Sequence, residues 1–294
     1  MDAGALLLIL SLSPQALQAG PPPPAPAAAS RPAASPGVRW EVGVEARRDR
    51  FDYRFENPSS FDTAELVPHF FEQRYDADNL WLTGRVRYRL GGRPLETEGG
   101  FTAETTGLAS DYDTFFQPDG NVVVYGTTAD TDLMSWRAAQ YVGLGSWNGV
   151  QARAGYGYRR DRSEYHASYT TTTQTKPPSS SSFWNTDRET TISEVHEIRL
   201  GVDSAHEGAR WYARLTADVA PTTLARLTTI LPDKYDAPVV FTAKGFTLDV
   251  RLSVAASLGR WRLGTAVSYL RTWNYQQASQ FHRDGVGVSV TIGR

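Results

Sequence analysis

Gly285-Val286-Gly287-Val288-Ser289-Val290-Thr291-Ile292 sets an apolar residue at every second position, with glycine, serine or threonine between. Side chains on a β-strand alternate between two faces, so this stretch predicts a strand with one apolar and one small or polar face. The same period recurs upstream. Phe246, Leu248, Val250, Leu252 and Val254 alternate with Thr247, Asp249, Arg251 and Ser253. Trp211, Ala213, Leu215, Ala217 and Val219 alternate with Tyr212, Arg214, Thr216 and Asp218. Leu80, Leu82 and Val86 share a period with Tyr88 and Leu90, against Thr83, Arg85, Arg87 and Arg89. From Val38 onward no stretch carries a convincing 3.6-residue period.

Ten strands are predicted, at about 38–55, 69–90, 95–107, 131–145, 149–165, 190–204, 210–221, 243–256, 260–275 and 283–293. Their connections alternate in length. Short ones fall at Gly91-Gly92-Arg93-Pro94, Ser146-Trp147-Asn148-Gly149, Ala205-His206-Glu207-Gly208 and Ser257-Leu258-Gly259, where glycine and asparagine suit tight hairpins. Long ones are expected near 56–68, 108–130, 166–189, 222–242 and 276–282. The runs Thr170 to Thr173 and Ser179 to Ser182 read as exposed loop. An even strand count with alternating short and long connections is the pattern of bacterial outer-membrane barrels.

The two strand faces decide between a soluble and a membrane architecture. The non-apolar face carries Arg85, Arg87, Arg89, Arg153, Arg159, Arg214, Asp218, Asp249 and Arg251. Ten long strands could not share one dry core without burying that face. A lipid-facing apolar band around a polar lumen accommodates both. Trp40, Trp81, Tyr158, Trp211, Trp261, Tyr269 and Trp273 fall near strand ends, where interfacial aromatic girdles form. The expected fold class is therefore all-β: a closed antiparallel transmembrane β-barrel of about ten strands, with short periplasmic turns and long extracellular loops.

Composition agrees. The chain has 294 residues, 40% of them apolar, and 12% aromatic. Its mean hydropathy of -0.40 excludes a helical membrane bundle. Alternating strands average an apolar and a polar face, so a barrel keeps a low mean. The absence of cysteine excludes disulfides, thiol catalysis and cysteine-ligated zinc. Thirty basic against 32 acidic residues give a net charge of -2, with no electrostatic footprint for nucleic acid.

Domain organisation follows from the N-terminal composition. Ala5 to Leu12, ALLLILSL, is too short to span a bilayer and has the length of a signal-peptide core. Residues 1–19 are expected to be a signal peptide cut after Ala19. Residues 20–37 are almost wholly Pro, Ala, Ser and Gly and are expected to be a disordered linker. The barrel occupies 38–294.

Chemistry in such a barrel sits on the loops and the rim, because lipid and the hydrogen-bond ladder fix the wall. The second long connection begins Ser110-Asp111-Tyr112-Asp113-Thr114. Carboxylates two apart in an extended segment point the same way, so Asp111 and Asp113 can share a water and polarise it. The fourth carries Pro232-Asp233-Lys234-Tyr235-Asp236. No nucleophile elbow, phosphate loop, dinucleotide fingerprint or HExxH is present, and no metal-ligand spacing is visible, so neither cofactor nor metal is expected.

Around Ser110-Asp111-Tyr112-Asp113, through Ala129-Asp130-Thr131 and Gly155-Tyr156, and in strand count and loop alternation over 38–294, the chain resembles the omptins. These are ten-stranded outer-membrane endopeptidases. The resemblance implies an aspartate pair at Asp111 and Asp113. It also implies an Asp-x-His pair on the fourth loop, of which Asp233 matches and Tyr235 departs. A phenol is mostly neutral at pH 7 and a poor base there, so His69, His166 or His282 would have to substitute. The resemblance further implies lipopolysaccharide phosphates as partners of Arg159-Arg160-Asp161-Arg162, beside outer-membrane lipid and a peptide substrate. Two readings follow: an aspartate-dependent endopeptidase using Asp111, Asp113 and Asp233, or a non-catalytic surface-binding or adhesin-type barrel. A small pore is a third.

Overall fold

The computed structural model describes residues 38–56, 69–103, 105–185, 189–208, 210–230, 238–274 and 279–294. Among these there are twelve strands and no helix. They are β1 Arg39–Glu56, β2 His69–Leu90, β3 Arg93–Thr102, β4 Thr105–Phe116, β5 Val122–Trp147 and β6 Val150–Thr175. After them come β7 Pro178–Asn185, β8 Glu189–Glu207, β9 Trp211–Ile230, β10 Val239–Leu258, β11 Trp261–Asn274 and β12 Ser279–Gly293.

All pairings are antiparallel, and they run round a ring. β3 and β4 both lie between β2 and β5, so they are one strand interrupted after Thr102. β7 and β8 both pair with β6 and form a second interrupted strand. The ring therefore has ten strand positions, the number expected. β12 returns to β1, with Glu41 opposite Gly293 and Trp40 exchanging backbone bonds of 3.2 and 2.9 Å with Arg294.

Three of the four short turns fall as anticipated, while Ala205, His206 and Glu207 belong to β8. Gly91, Gly92, Asn148, Gly149 and Gly259 have φ of 57°, 80°, 47°, 81° and 63°, the left-handed region that such hairpins need. The long connections differ from expectation. Most of 108–130 and 166–189 is strand: β4 and β5 meet at a hairpin around 117–121, and β6 and β7 turn at 176–177. The two runs read as loop are ladder partners, with Thr171 opposite Ser182 and Thr173 opposite Ser180. Over these two runs both faces of β6 and β7 are polar. Hydrophobic alternation cannot mark them, although threonine is a strong strand former.

The two faces divide as the alternation requires. Val42, Val44, Leu80, Leu82, Val286, Val288, Val290 and Ile292 lie on the outside of the ring, exposed; Val290 is 61% accessible. Arg47, Asp49, Glu45 and Arg214 lie inside, and Asp49 is 0% accessible. This is a water-soluble fold turned inside out. The outer apolar band ends in charge on eight strands: Arg48, Asp78, Asp132, Arg160, Glu194, Lys244, Arg271 and Asp284. β5 and β6, 26 residues each, continue well past that limit. At the opposite edge Trp40 and Trp261 meet edge to face at 5.7 Å. Trp81 is not part of a girdle. It is fully buried inside, with the Arg137 and Arg159 guanidinium groups over its ring at 4.8 and 5.2 Å.

The interior is a lattice of arginine and carboxylate. Among the described residues ten arginines and ten carboxylates pair there, equal in number. Glu96 alone meets Arg85, Arg87, Arg153 and Arg214, at 3.3, 2.5, 3.0 and 2.6 Å. Arg153 also pairs with Asp218. Glycine makes room: a Cβ on Gly201 would lie 1.9 Å from Asp218 Oδ1. A cavity of about 60 Å³ remains between these side chains, enough for a few waters.

Candidate functional site

Above the charged lattice, toward the extended end of the strands, the interior changes character. Phe51, Tyr53, Tyr75, Leu133, Tyr165 and Phe281 form an apolar layer across the ring, with Ala109 and Ala129 filling between them. Tyr75 meets Phe51 and Tyr53 edge to face at 6.5 and 6.2 Å, and Tyr53 lies 5.3 Å from Phe281. A gap of only about 10 Å³ remains beside these side chains. The layer is a floor that separates the arginine lattice from the rim.

On that floor sits a chain of polar groups. Gln73 Nε2 donates to Tyr165 Oη at 2.6 Å and to Glu189 Oε1 at 3.2 Å. Tyr165 Oη donates to Tyr75 Oη at 3.3 Å, and Ser163 Oγ donates to Tyr75 Oη at 3.1 Å. Thr191 Oγ1 donates to Glu189 at 3.3 Å. Gln73 is 1% accessible, and among the described residues its Oε1 accepts no hydrogen bond. A buried amide oxygen without a donor is costly, and such atoms mark places where a water or ligand completes the site.

Asp111 and Asp113 lie within β4 rather than in a loop. Asp111 is opposite Gln73 on one side and Thr127 on the other; Asp113 is opposite Phe71 and Tyr125. Both share strand parity with Ala109, which is fully buried inside the ring. Asp233 and Tyr235 lie outside the described residues.

The histidines separate by position. His69 opens β2 opposite Phe115, at the parity of Gln73, which makes it the diagonal neighbour of Asp113. His166 is the extra residue of a β-bulge, since Thr131 pairs with Tyr165 and Asp130 with Ala167. His282 is opposite Asp52 on the outward parity. His196 is on the outer face, its Nδ1 2.5 Å from Tyr156 Oη, and His206 stacks on Trp211 at 5.0 Å. Arg159-Arg160-Asp161-Arg162 is not one surface cluster. Arg159 and Asp161 point inward and pair at 2.6 Å, while Arg160 and Arg162 point out. Strand alternation splits the run.

Gln73, Tyr75, Tyr165 and Glu189 escaped sequence reading because none forms a motif. Their signal is inward parity at one level of three strands, β2, β6 and β8, which needs the register to be seen.

No family model and no curated protein matches the sequence. Among solved structures, the fold is similar to that of the outer-membrane protease OmpT from Escherichia coli. The TM-score is 0.62 at 8% identity, over 90% of this chain and 98% of that one. The likeness is one of fold: an all-β, antiparallel ring of the outer-membrane type. The translocator domain of the autotransporter NalP from Neisseria meningitidis also matches, over 87% of this chain and 89% of that one. Its TM-score is 0.34 at 12% identity.

Proposed function

We propose that the chain is an omptin-like outer-membrane β-barrel whose rim cleft cuts polypeptides, with Asp111 and Asp113 polarising the attacking water. In this reading residues 1–19 are a signal peptide, 20–37 a periplasmic linker, and the short turns face the periplasm. The outer apolar band, closed off by charge on eight strands, supports a bilayer-spanning wall with the extended strands outside the cell. Outward Arg160 and Arg162, just above Tyr158, support contact with lipopolysaccharide phosphates.

The observation that carries the catalytic reading is a register one. Asp111 and Asp113 share strand parity with the buried Ala109 of the aromatic layer, and His69 is the register diagonal of Asp113. His69 would take the proton from water as its oxygen attacks the peptide carbonyl, and Asp233 would complete the cleft from the β9–β10 connection. Imidazole titrates near pH 6.5, so it can do at neutral pH what the Tyr235 phenol cannot.

A second reading is a non-catalytic surface-binding or adhesin-type barrel. It is favoured by Tyr169, Phe183 and Trp184, which are 42%, 49% and 74% accessible on an extension otherwise rich in serine and threonine. The test offers basic peptides to refolded protein with lipopolysaccharide. Cleavage that falls about 10²–10⁴-fold in Asp111→Asn plus Asp113→Asn supports the enzyme. A parent that cleaves nothing leaves the binding reading.

A further inference from the structure

β7 pairs with β6 and, among the described residues, with no other strand. The neighbouring ladder stops short of it: β8–β9 pairing begins at Thr190 opposite Ile230, below the level at which β7 lies on β6. In a two-sided strand alternate residues aim N–H and C=O to opposite sides. One side of β7 therefore carries a row of backbone donors and acceptors with no strand beside it among the described residues. Soluble proteins blunt such edges with charge, proline or bulges. Here Pro178 stands only at the first position, and Pro178–Asn185, PSSSSFWN, contains no charged residue. Phe183 and Trp184, on opposite faces at the end of the strand, are exposed. The register from Thr175–Pro178 to Ser168–Asn185 is unbroken, so the edge is regular over eight residues.

We propose that this free edge of β7 docks an extended polypeptide segment, which adds to the sheet as a further strand. A row of alternating amide donors and carbonyl acceptors is matched by the backbone of another strand, and main-chain bonds supply the affinity in such additions. The neutral edge makes that recognition indifferent to the charge of the incoming segment. Trp184 and Phe183 flank it on the two faces and would cover apolar side chains of the guest. A second copy of the chain fits less well. In the membrane orientation proposed above, two copies have β7 running in the same sense. A rotation about the membrane normal then sets the outward face of one against the inward face of the other. A free segment can run antiparallel with its faces matched. The proposal needs no catalysis at Asp111 and Asp113; it gives the rim a means of holding an extended polypeptide segment by its backbone.

The test uses the refolded full chain in detergent micelles and a fluorescent peptide copying Ser168–Thr175, the strand that already pairs with the other side of β7. Saturable binding is expected, weakened at least tenfold by N-methylation of alternate peptide amides, together with slowed amide exchange across Ser179–Trp184. Ser180→Pro and Ser181→Pro separate the two sides of the strand. One removes a donor to β6; the other removes only a free-edge donor and should lower affinity while the fold, read as a heat-modifiable gel shift, is kept. No binding, binding unaffected by N-methylation, parental affinity in both proline variants, or peptide competition with self-association of the chain would each overturn the proposal. Binding is read without cleavage, so a barrel that cuts no peptide leaves this result standing.

Discussion

Gln73 on β2 stands directly opposite Asp111 on β4, while its amide nitrogen holds Tyr165 Oη at 2.6 Å. The pair ties the aspartate strand to the far wall of the ring through Tyr165 on β6 and Glu189 on β8. A rim site built on paired strands is held more rigidly than one on a loop, which suits positioning a water.

If a histidine activates that water, position selects which one. His69→Gln should lower peptide cleavage about 10²-fold or more and remove the rise of rate through the imidazole range near pH 6.5. His282→Gln, on the outward parity beside Asp52, should leave rate and pH profile unchanged. Equal effects of the two, read from initial rates between pH 5 and 8, would dismiss His69 as the base.

The interior lattice makes a stability prediction. Glu96 meets four guanidinium groups, so Glu96→Ala strands buried positive charge. Removing one partner of a buried pair costs about 3–5 kcal/mol. Urea unfolding of the refolded variant should show a loss of that order. A loss below about 1 kcal/mol would mean that water reaches the lattice and screens it.

Thr170–Thr173 and Ser179–Ser182 should exchange their amide hydrogens slowly wherever they face one another in the β6–β7 ladder, unlike a threonine- and serine-rich loop. Thr171 Oγ1 and Ser182 Oγ are also 3.0 Å apart across that ladder. Complete exchange of both runs within seconds would refute the pairing.

This ladder also shows where sequence reading stops. Val286 to Ile292 announces its strand because one face is apolar and the other is not. Thr170 to Thr173 announces nothing by hydrophobicity, because both faces are polar once the strand has left the apolar band. Trp81 is misread for a related reason: an aromatic near a predicted strand end suggests a girdle, and only parity reveals that it is buried under two arginines. The candidate site was legible in Asp111 and Asp113 as residues spaced for one face. Gln73, Tyr165 and Glu189 became visible only through register, since they come together from three distant segments.

The chain has no cysteine, so single replacements report one position each. Spin labels at Val286→Cys, Val288→Cys and Val290→Cys, and at Asp284→Cys in the charged limit of the band, can be read in bilayers by collision with oxygen and with a water-soluble nickel chelate. A lipid-facing band predicts high oxygen and low chelate accessibility at the three valine positions, reversing at Asp284. Chelate access at Val288 equal to that at Asp284 would contradict the membrane-spanning ring.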